Sequence, residues 1–231
     1  ANRVVTRTAA DGVITEYRFD GMGRQTDVIE ARNLTEQRTT TYAYDRKGQV
    51  LSITQDAGGL NLTTRYQYDG RGQQVLVMRG TTTQPEQQVT RYAYDALGRR
   101  TREQVDPNGL NLTTQYRYNS NDQVSRKIDA LGKSTWYVYD AAGRLTEAVD
   151  ALGGVTRNTY DAAGQMTAMT RYFASLTPST VSGLGDVVTE VSPIVTPTRD
   201  QITTYGYDNK GRLIWTQDNA TNLREEYTYD L

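Results

Sequence analysis

Along this chain apolar residues never gather into long runs. The uninterrupted apolar stretches are only a few residues long, far below the roughly 20 that a membrane helix needs. What recurs instead is a short aromatic alternation, Tyr-x-Tyr, that breaks at an Asp and then a Gly. Successive side chains of a strand point to opposite faces, so both rings of Tyr-x-Tyr lie on one side. The Asp stands where the strand ends: its carboxylate can accept a hydrogen bond from the backbone N–H two residues on. A Gly three residues after it can take the left-handed conformation that closes a short hairpin. Arg or Gln then opens a returning strand of mixed character, as in Val50-Leu51-Ser52-Ile53 or Leu213-Ile214-Trp215.

The unit is written again and again. It begins as Tyr17-Arg18-Phe19-Asp20 with Gly23, and returns as Tyr42 and Tyr44 before Asp45 and Gly48, Tyr66 and Tyr68 before Asp69 and Gly72, and Tyr92 and Tyr94 before Asp95 and Gly98. The fifth copy is degraded: Tyr116 and Tyr118 precede Asn119, and Asp122 takes the glycine position, where Asp tolerates a positive φ better than most residues. Tyr137, Tyr139, Asp140 and Gly143 restore the pattern, Asn158 replaces the first tyrosine ahead of Tyr160, Asp161 and Gly164, and Tyr205, Tyr207, Asp208 and Gly211 follow. Tyr227, Tyr229 and Asp230 start a ninth copy. Of the 17 tyrosines, 16 belong to this motif and only Tyr172 does not. A catalytic or ligand-gripping tyrosine is singular, so these read as structural side chains of a repeated strand.

The motif Asp or Asn positions lie 21 to 26 residues apart, with one interval of 47. Two strands of about six residues and two short turns fill such a spacing, so each unit predicts a β-hairpin with its connection. A second turn closes the far end, marked by Asp56-Ala-Gly-Gly59, Asp106-Pro107-Asn108-Gly109, Asp129-Ala-Leu-Gly132 and Asp150-Ala-Leu-Gly153. The phrase Gly-Leu-Asn-Leu-Thr-Thr occurs twice, at 59–64 and 109–114, and points to duplication of neighbouring units. About 17 strands at roughly 4.8 Å spacing would make a strip of roughly 80 Å, and strand twist should coil such a strip into a wall one sheet thick. The expected fold is therefore all-β, a curved antiparallel ribbon of repeated β-hairpins. Residues 1–231 are expected to form a single repeat region, a fragment of a larger protein. The stretch 172–198 breaks the pattern with Pro178, Pro193, Pro197, the Ser182-Gly-Leu-Gly185 run and no Lys or Arg; it reads as an insertion, an extended solvent loop or long irregular hairpin decorating the wall.

Composition removes most other chemistry. Only 36% of residues are hydrophobic, with 17 Tyr against 2 Phe, a balance suited to half-exposed strands rather than to a thick core. The 26 basic residues nearly cancel the 27 acidic ones and are interspersed with them, which leaves no basic footprint for nucleic acid. No Cys and no His are present, excluding disulfides, thiol nucleophiles, the commonest general base and the commonest transition-metal ligand. The recurring Asp residues invite a glycosidase reading, but one per turn is what a turn demands. They also lack the dense alternating ligands of a calcium loop. Gly21-Met-Gly23 and Gly58-Gly59 are turns and not phosphate loops, since no Gly-Lys-Ser/Thr follows. Asn33, Asn61, Asn111 and Asn219 fit the N-glycosylation pattern, two of them inside the duplicated phrase. No catalytic, cofactor or metal residue is assigned.

Tyr-x-Tyr-Asp-x-x-Gly-Arg at this spacing resembles the YD-repeat or RHS-repeat family, whose members include bacterial Rhs polymorphic toxins, the cocoon components of Tc toxin complexes, and teneurins. The resemblance covers nearly the whole chain apart from 172–198. It implies a spiralling strip of hairpins enclosing a hollow shell, secreted or exported, which in the bacterial toxins holds a C-terminal toxic domain. The implied partners are thus the remainder of its own shell and an enclosed toxin or C-terminal domain, with no nucleic acid and no membrane insertion by this segment. The family's self-cleaving terminal region has no counterpart in these residues, and Asn158, Asn119 and Asp122 depart from the motif. A rival reading stays open: a tyrosine ladder could stack glycans or a peptide, as in an extracellular adhesion module. A shell needs cross-strand tyrosine contacts in every repeat, whereas a binding site needs its aromatics once.

Overall fold

The computed structural model describes residues 2–57, 59–81, 83–84, 86–177, 180–181, 183–196 and 198–230. Gly58, Pro178, Ser182 and Pro197, named above, lie outside the described residues, as do Ala1 and Leu231. The fold is all-β and antiparallel. Its contacts group into two units, Ala1–Thr113 and Thr114–Leu231.

The first unit holds β1 (Arg3–Thr8), β2 (Ile14–Phe19), β3 (Gln25–Glu30), β4 (Arg38–Tyr44), β5 (Val50–Gln55), β6 (Leu62–Tyr68), β7 (Gln74–Gly80), β8 (Gln88–Tyr94) and β9 (Arg100–Val105). Each pairs antiparallel with the next. The boundary falls within β10 (Leu112–Tyr118). The second unit continues with β11 (Val124–Ile128), β12 (Ser134–Tyr139), β13 (Leu145–Val149), β14 (Val155–Tyr160), β15 (Met166–Arg171), β16 (Gln201–Tyr207), β17 (Leu213–Asp218) and β18 (Arg224–Glu226). Here too consecutive strands pair antiparallel.

Every Tyr-Asp hairpin is built the same way. In β2–β3 the N–H of Asp20 donates to Arg24 O at 2.9 Å and that of Gly23 to Asp20 O at 3.0 Å, with Gly23 at φ +81°. The register then shifts by one residue between Arg18 and Phe19, leaving Thr26 as an extra residue on the returning strand. The same bulge recurs beside the second motif aromatic of the other seven hairpins and leaves out Leu51, Val75, Thr101, Ser125, Thr146, Thr167 and Ile214 in turn. Such bulges sharpen the local twist and bend the strand that carries them.

The four far-end turns marked in the sequence take two forms. Asp129 and Asp150 repeat the Asp-to-Gly geometry, with Gly132 at φ +76° and Gly153 at +86°. The longer turns hold two non-glycine residues at positive φ: Asp56 and Asn61, then Asp106 and Asn111, all between 50° and 53°. Asn and Asp are the residues that visit this region at least cost, so the asparagine of the duplicated Gly-Leu-Asn-Leu-Thr-Thr phrase has a conformational task.

Of the two readings of 172–198, the described residues depart from the solvent loop and keep a trace of the irregular hairpin, an isolated antiparallel bridge between Ala174 and Ile194. The stretch lies as a strap against the face of β12–β14 opposite the tyrosines, and its Leu176 and Val191 are buried in one cluster with Trp136, Val138, Val149 and Val155. Tyr172, Val181, Leu184 and Val188 pack around that cluster. The physical reason is a second set of apolar side chains on the far face of the same strands, a set the tyrosine periodicity overshadows.

Candidate functional site

The chemistry-bearing residues of this chain converge at the Tyr-Asp turns. One carboxylate oxygen of Asp20 accepts from the N–H groups of Met22 and Arg24, both at 2.9 Å, while the other accepts from Arg24 Nε at 2.7 Å. Asp95, Asp140 and Asp208 repeat all three bonds with their own second and fourth residues. Asp45 and Asp69 keep the two backbone bonds, and Asn119 makes them through its amide oxygen. For Asp161 the bond from Gln165 N is 2.8 Å.

These contacts fix the charge state. The backbone N–H of the following arginine, aided by its guanidinium, holds the carboxyls of Asp20, Asp140 and Asp208 below the ordinary carboxylate range. At Asp95 partial burial acts in the opposite sense, and the bonds from Arg99 together outweigh it. Burial disfavours the phenolates of Tyr44, Tyr68, Tyr92, Tyr139 and Tyr207 and raises them above the usual tyrosine value.

The second tyrosine fastens each hairpin to the one before it. Tyr44 Oη donates to Gln25 O at 2.8 Å, Tyr68 to Val50 O at 2.9 Å, and Tyr94 to Gln74 O at 2.8 Å. Tyr139, Tyr160, Tyr207 and Tyr229 do the same to the carbonyls of Val124, Leu145, Met166 and Leu213. Each acceptor lies five residues beyond the preceding motif Asp or Asn. Between β3 and β4 the ladder runs only from Asp27↔Thr41 to Glu30↔Arg38, so Gln25 O lies beyond its last rung. The phenol supplies the partner that a half-buried backbone carbonyl requires. The first tyrosine stands opposite an aliphatic residue of its own hairpin in the first three copies, Tyr17↔Val28, Tyr42↔Ile53 and Tyr66↔Val77, and opposite Glu103, Lys127, Ala148 or Thr216 in later ones. No tyrosine faces another across these pairs, and the second tyrosine's contact is hydroxyl on carbonyl.

A further residue type completes the link, and the sequence reading left it without a role. The Arg or Gln directly after the motif glycine reaches the next turn. Arg24 Nη1 donates to Asp45 O at 2.9 Å and its guanidinium lies 4.8 Å from the Tyr44 ring centre. Arg144 does the same to Asp161 O and Tyr160, and Arg212 stacks on Tyr229. Where Gln stands instead, its amide donates to the next motif glycine: Gln49 to Gly72 O, Gln73 to Gly98 O, and Gln123 to Gly143 O. The only hint in the sequence was the Arg/Gln alternation itself.

The strap is tied on by singular groups. Trp136 Nε1 donates to Gly185 O at 2.9 Å, Arg126 to Asp186 at 2.9 Å, and the N–H of Leu176 to Gly153 O at 2.8 Å. Buried Glu147 pairs with Arg157 and accepts from Val191 N at 3.0 Å, while Arg157 also donates to Val191 O. At its end, Asp200 accepts from Phe173 N and Thr196 N. Among the described residues no group of acidic side chains is placed to hold a metal ion, and no helix is long and apolar enough to cross a membrane.

Residues 8–185 of the chain match the family model of the Teneurin YD-shell. The chain belongs to the Teneurin YD-shell family. Its role is accordingly that of a structural shell segment. Among solved structures it is similar in fold to the crystal structure of TcdB2-TccC3-Cdc42, with a TM-score of 0.68 and 17% identity. That match covers 96% of this chain and 13% of the other. It also matches the crystal structure of TcdB2-TccC3 at a TM-score of 0.45 and 15% identity, over 96% of this chain and 15% of that one. The YD-shell chain therefore spans a small part of the length of the structures it resembles. No curated protein matches it in sequence.

Proposed function

We propose that this segment is wall in a hollow YD shell that encloses or presents an associated polypeptide, a toxin or C-terminal domain, in a secreted or exported protein, and that it performs no catalysis itself. The observation that carries this reading is the turn-to-turn linkage. Each hairpin offers the next one the same carbonyl and receives the same phenol, so the ladder extends by repetition and its polar chemistry is spent on self-attachment. Membership of the Teneurin YD-shell family supports a shell role. The test is limited proteolysis of the intact parent protein. A segment enclosed by the shell should resist digestion there and be cut readily when produced alone. Equal cleavage rates in both settings would overturn encapsulation.

A further inference from the structure

The face opposite the tyrosines carries an uneven charge in the first unit. The pairs Arg65↔Met78, Leu76↔Arg91, Met78↔Val89, Arg91↔Gln104 and Ala93↔Arg102 put three arginines on it around the apolar Leu76, Met78 and Val89. No carboxylate stands among them: the one acid within β5–β9 is Glu103, which lies opposite Tyr92 on the other face. Among the described residues none of the three guanidiniums has an ion-pair partner. Arg91 and Arg102 are exposed, whereas Arg65 is half-buried with its Nη1 covered. The first two can therefore grip a ligand, and the third adds mainly its charge.

The second unit shows what covers such a face. There Arg117 and Arg126 stand opposite each other on it, and Asp186 of the strap pairs with both, at 3.6 and 2.9 Å. Residues 172–198 contain Asp186 and Glu190 and no Lys or Arg. The strap runs across the strands: Gly185 O takes the indole N–H of Trp136 on β12, and Val191 meets Glu147 on β13 and Arg157 on β14. The cover is thus an extended polypeptide that brings carboxylates to arginines and apolar side chains to the sheet.

The spacing of the unpaired arginines suits the same kind of segment. Arg65 on β6 and Arg102 on β9 are three strand intervals apart, about 14 Å, and two carboxylates four residues apart in an extended chain, as Asp186 and Glu190 are in sequence, span about 13 Å. A nucleic acid would find no aromatic side chain on this face of β6–β9 to stack on. We infer that the β6–β9 face is a docking surface for an extended acidic segment of the polypeptide that the shell holds, laid across the strands with carboxylates on Arg91 and Arg102 and apolar side chains on Leu76, Met78 and Val89. The source of that segment rests on the container reading given above; the chemistry of the surface does not.

The probe is a labelled peptide of the strap's own sequence, residues 184–194, titrated into the full chain with its strap in place and followed by fluorescence anisotropy and amide chemical shifts. Saturable binding is expected, with the shifts on β6–β9. It should weaken by about tenfold or more in Arg91→Gln/Arg102→Gln, and equally when the peptide carries Asp186→Asn and Glu190→Gln. Both arginines are exposed, so the double variant should keep the wild-type urea midpoint, which separates lost binding from lost folding. Absence of saturable binding, equal binding in the double variant, or shifts confined to β12–β14 would overturn the inference. Equal affinity for a short single-stranded DNA would do so too, since it would mark a general polyanion surface. Peptide binding without proteolytic protection in the parent would overturn the container reading alone, and protection without peptide binding would overturn the docking surface alone.

Discussion

Two stretches of the same ladder, β4–β7 in the first unit and β12–β14 in the second, share their turns and differ on the face away from the tyrosines. In β4 and β6 the residue just before the first tyrosine is Thr41 or Arg65, and the one between the tyrosines is Ala43 or Gln67. In β12 these positions are Trp136 and Val138, 4% and 3% exposed. The tyrosine face is held by the repeat because every neighbour depends on it. The other face is free to vary, and where it turns apolar it is covered by the strap, as burying such side chains requires.

The sharpest break in that comparison is Trp136→Ala. It removes a buried indole and its bond to Gly185 O, and should cost about 3–5 kcal/mol. The equivalent change Thr41→Ala gives up one part-buried hydroxyl bond to Asp27 and should cost about 1 kcal/mol. Urea unfolding midpoints check both, and similar values would mean that the strap adds no stability to β12–β14.

Substituting the motif glycine should erase the difference between the two stretches. Gly48 and Gly143 sit at φ +87° and +80°, where a β-branched side chain is strained by about 1–3 kcal/mol. Neither has backbone crowding its missing Cβ. Gly48→Val and Gly143→Val should therefore lower the urea midpoint alike, and each far more than Ala141→Val, which precedes its glycine by two residues. A loss confined to one stretch would show that the two turns are not energetically equivalent.

What the residues disclosed in advance follows from what repeats. Tyr-x-Tyr-Asp-x-x-Gly states a strand, its end and its turn in local terms, so the hairpins and their all-β class could be read directly. The bulge at Thr26, Leu51 and their equivalents has no fixed residue type and left no sequence mark. Arg24 or Gln49 reaching a carbonyl 21 to 23 residues on depends on which hairpins become neighbours, and that is tertiary information. The strap failed to register for a related reason: Leu176 and Val191 have partners only on strands 20 to 50 residues earlier, and proline with irregular spacing resembles a loop when those partners are not in view.

Removing a single phenol is a smaller perturbation than straining a turn. Tyr68→Phe and Tyr139→Phe keep the ring and strand but leave the carbonyls of Val50 and Val124 without the donor described above. Each should cost about 0.5–1.5 kcal/mol, and by the same amount in either stretch, since the acceptor is main chain in both. Urea midpoints of the two variants test this. An effect well beyond the range at Tyr139 alone would show that the strap side depends on this clamp.

The smallest effect concerns acid. Asp20, Asp95, Asp140 and Asp208 have folded-state carboxyls held below their ordinary value by the arginine four residues on. A depressed folded pKa means that the unfolded chain takes up protons first as the pH drops. Stability from these turns is therefore fully present above the unfolded carboxylate value near pH 4 and is lost as pH falls through the lowered folded values. Arg24→Gln in the first unit and Arg144→Gln in the second remove the guanidinium while keeping a side chain that can bridge to the next turn, as Gln49, Gln73 and Gln123 do. Both variants should have a somewhat lower urea midpoint than wild type at pH 6, where the guanidinium contribution is fully present, and lose less than wild type between pH 4 and pH 2. The turn carboxylates are solvent-accessible, so added salt should shrink the difference. A variant whose acid profile superimposes on wild type would show that the backbone N–H groups alone set the charge of the turn, and that the arginine acts only as a brace between neighbouring hairpins.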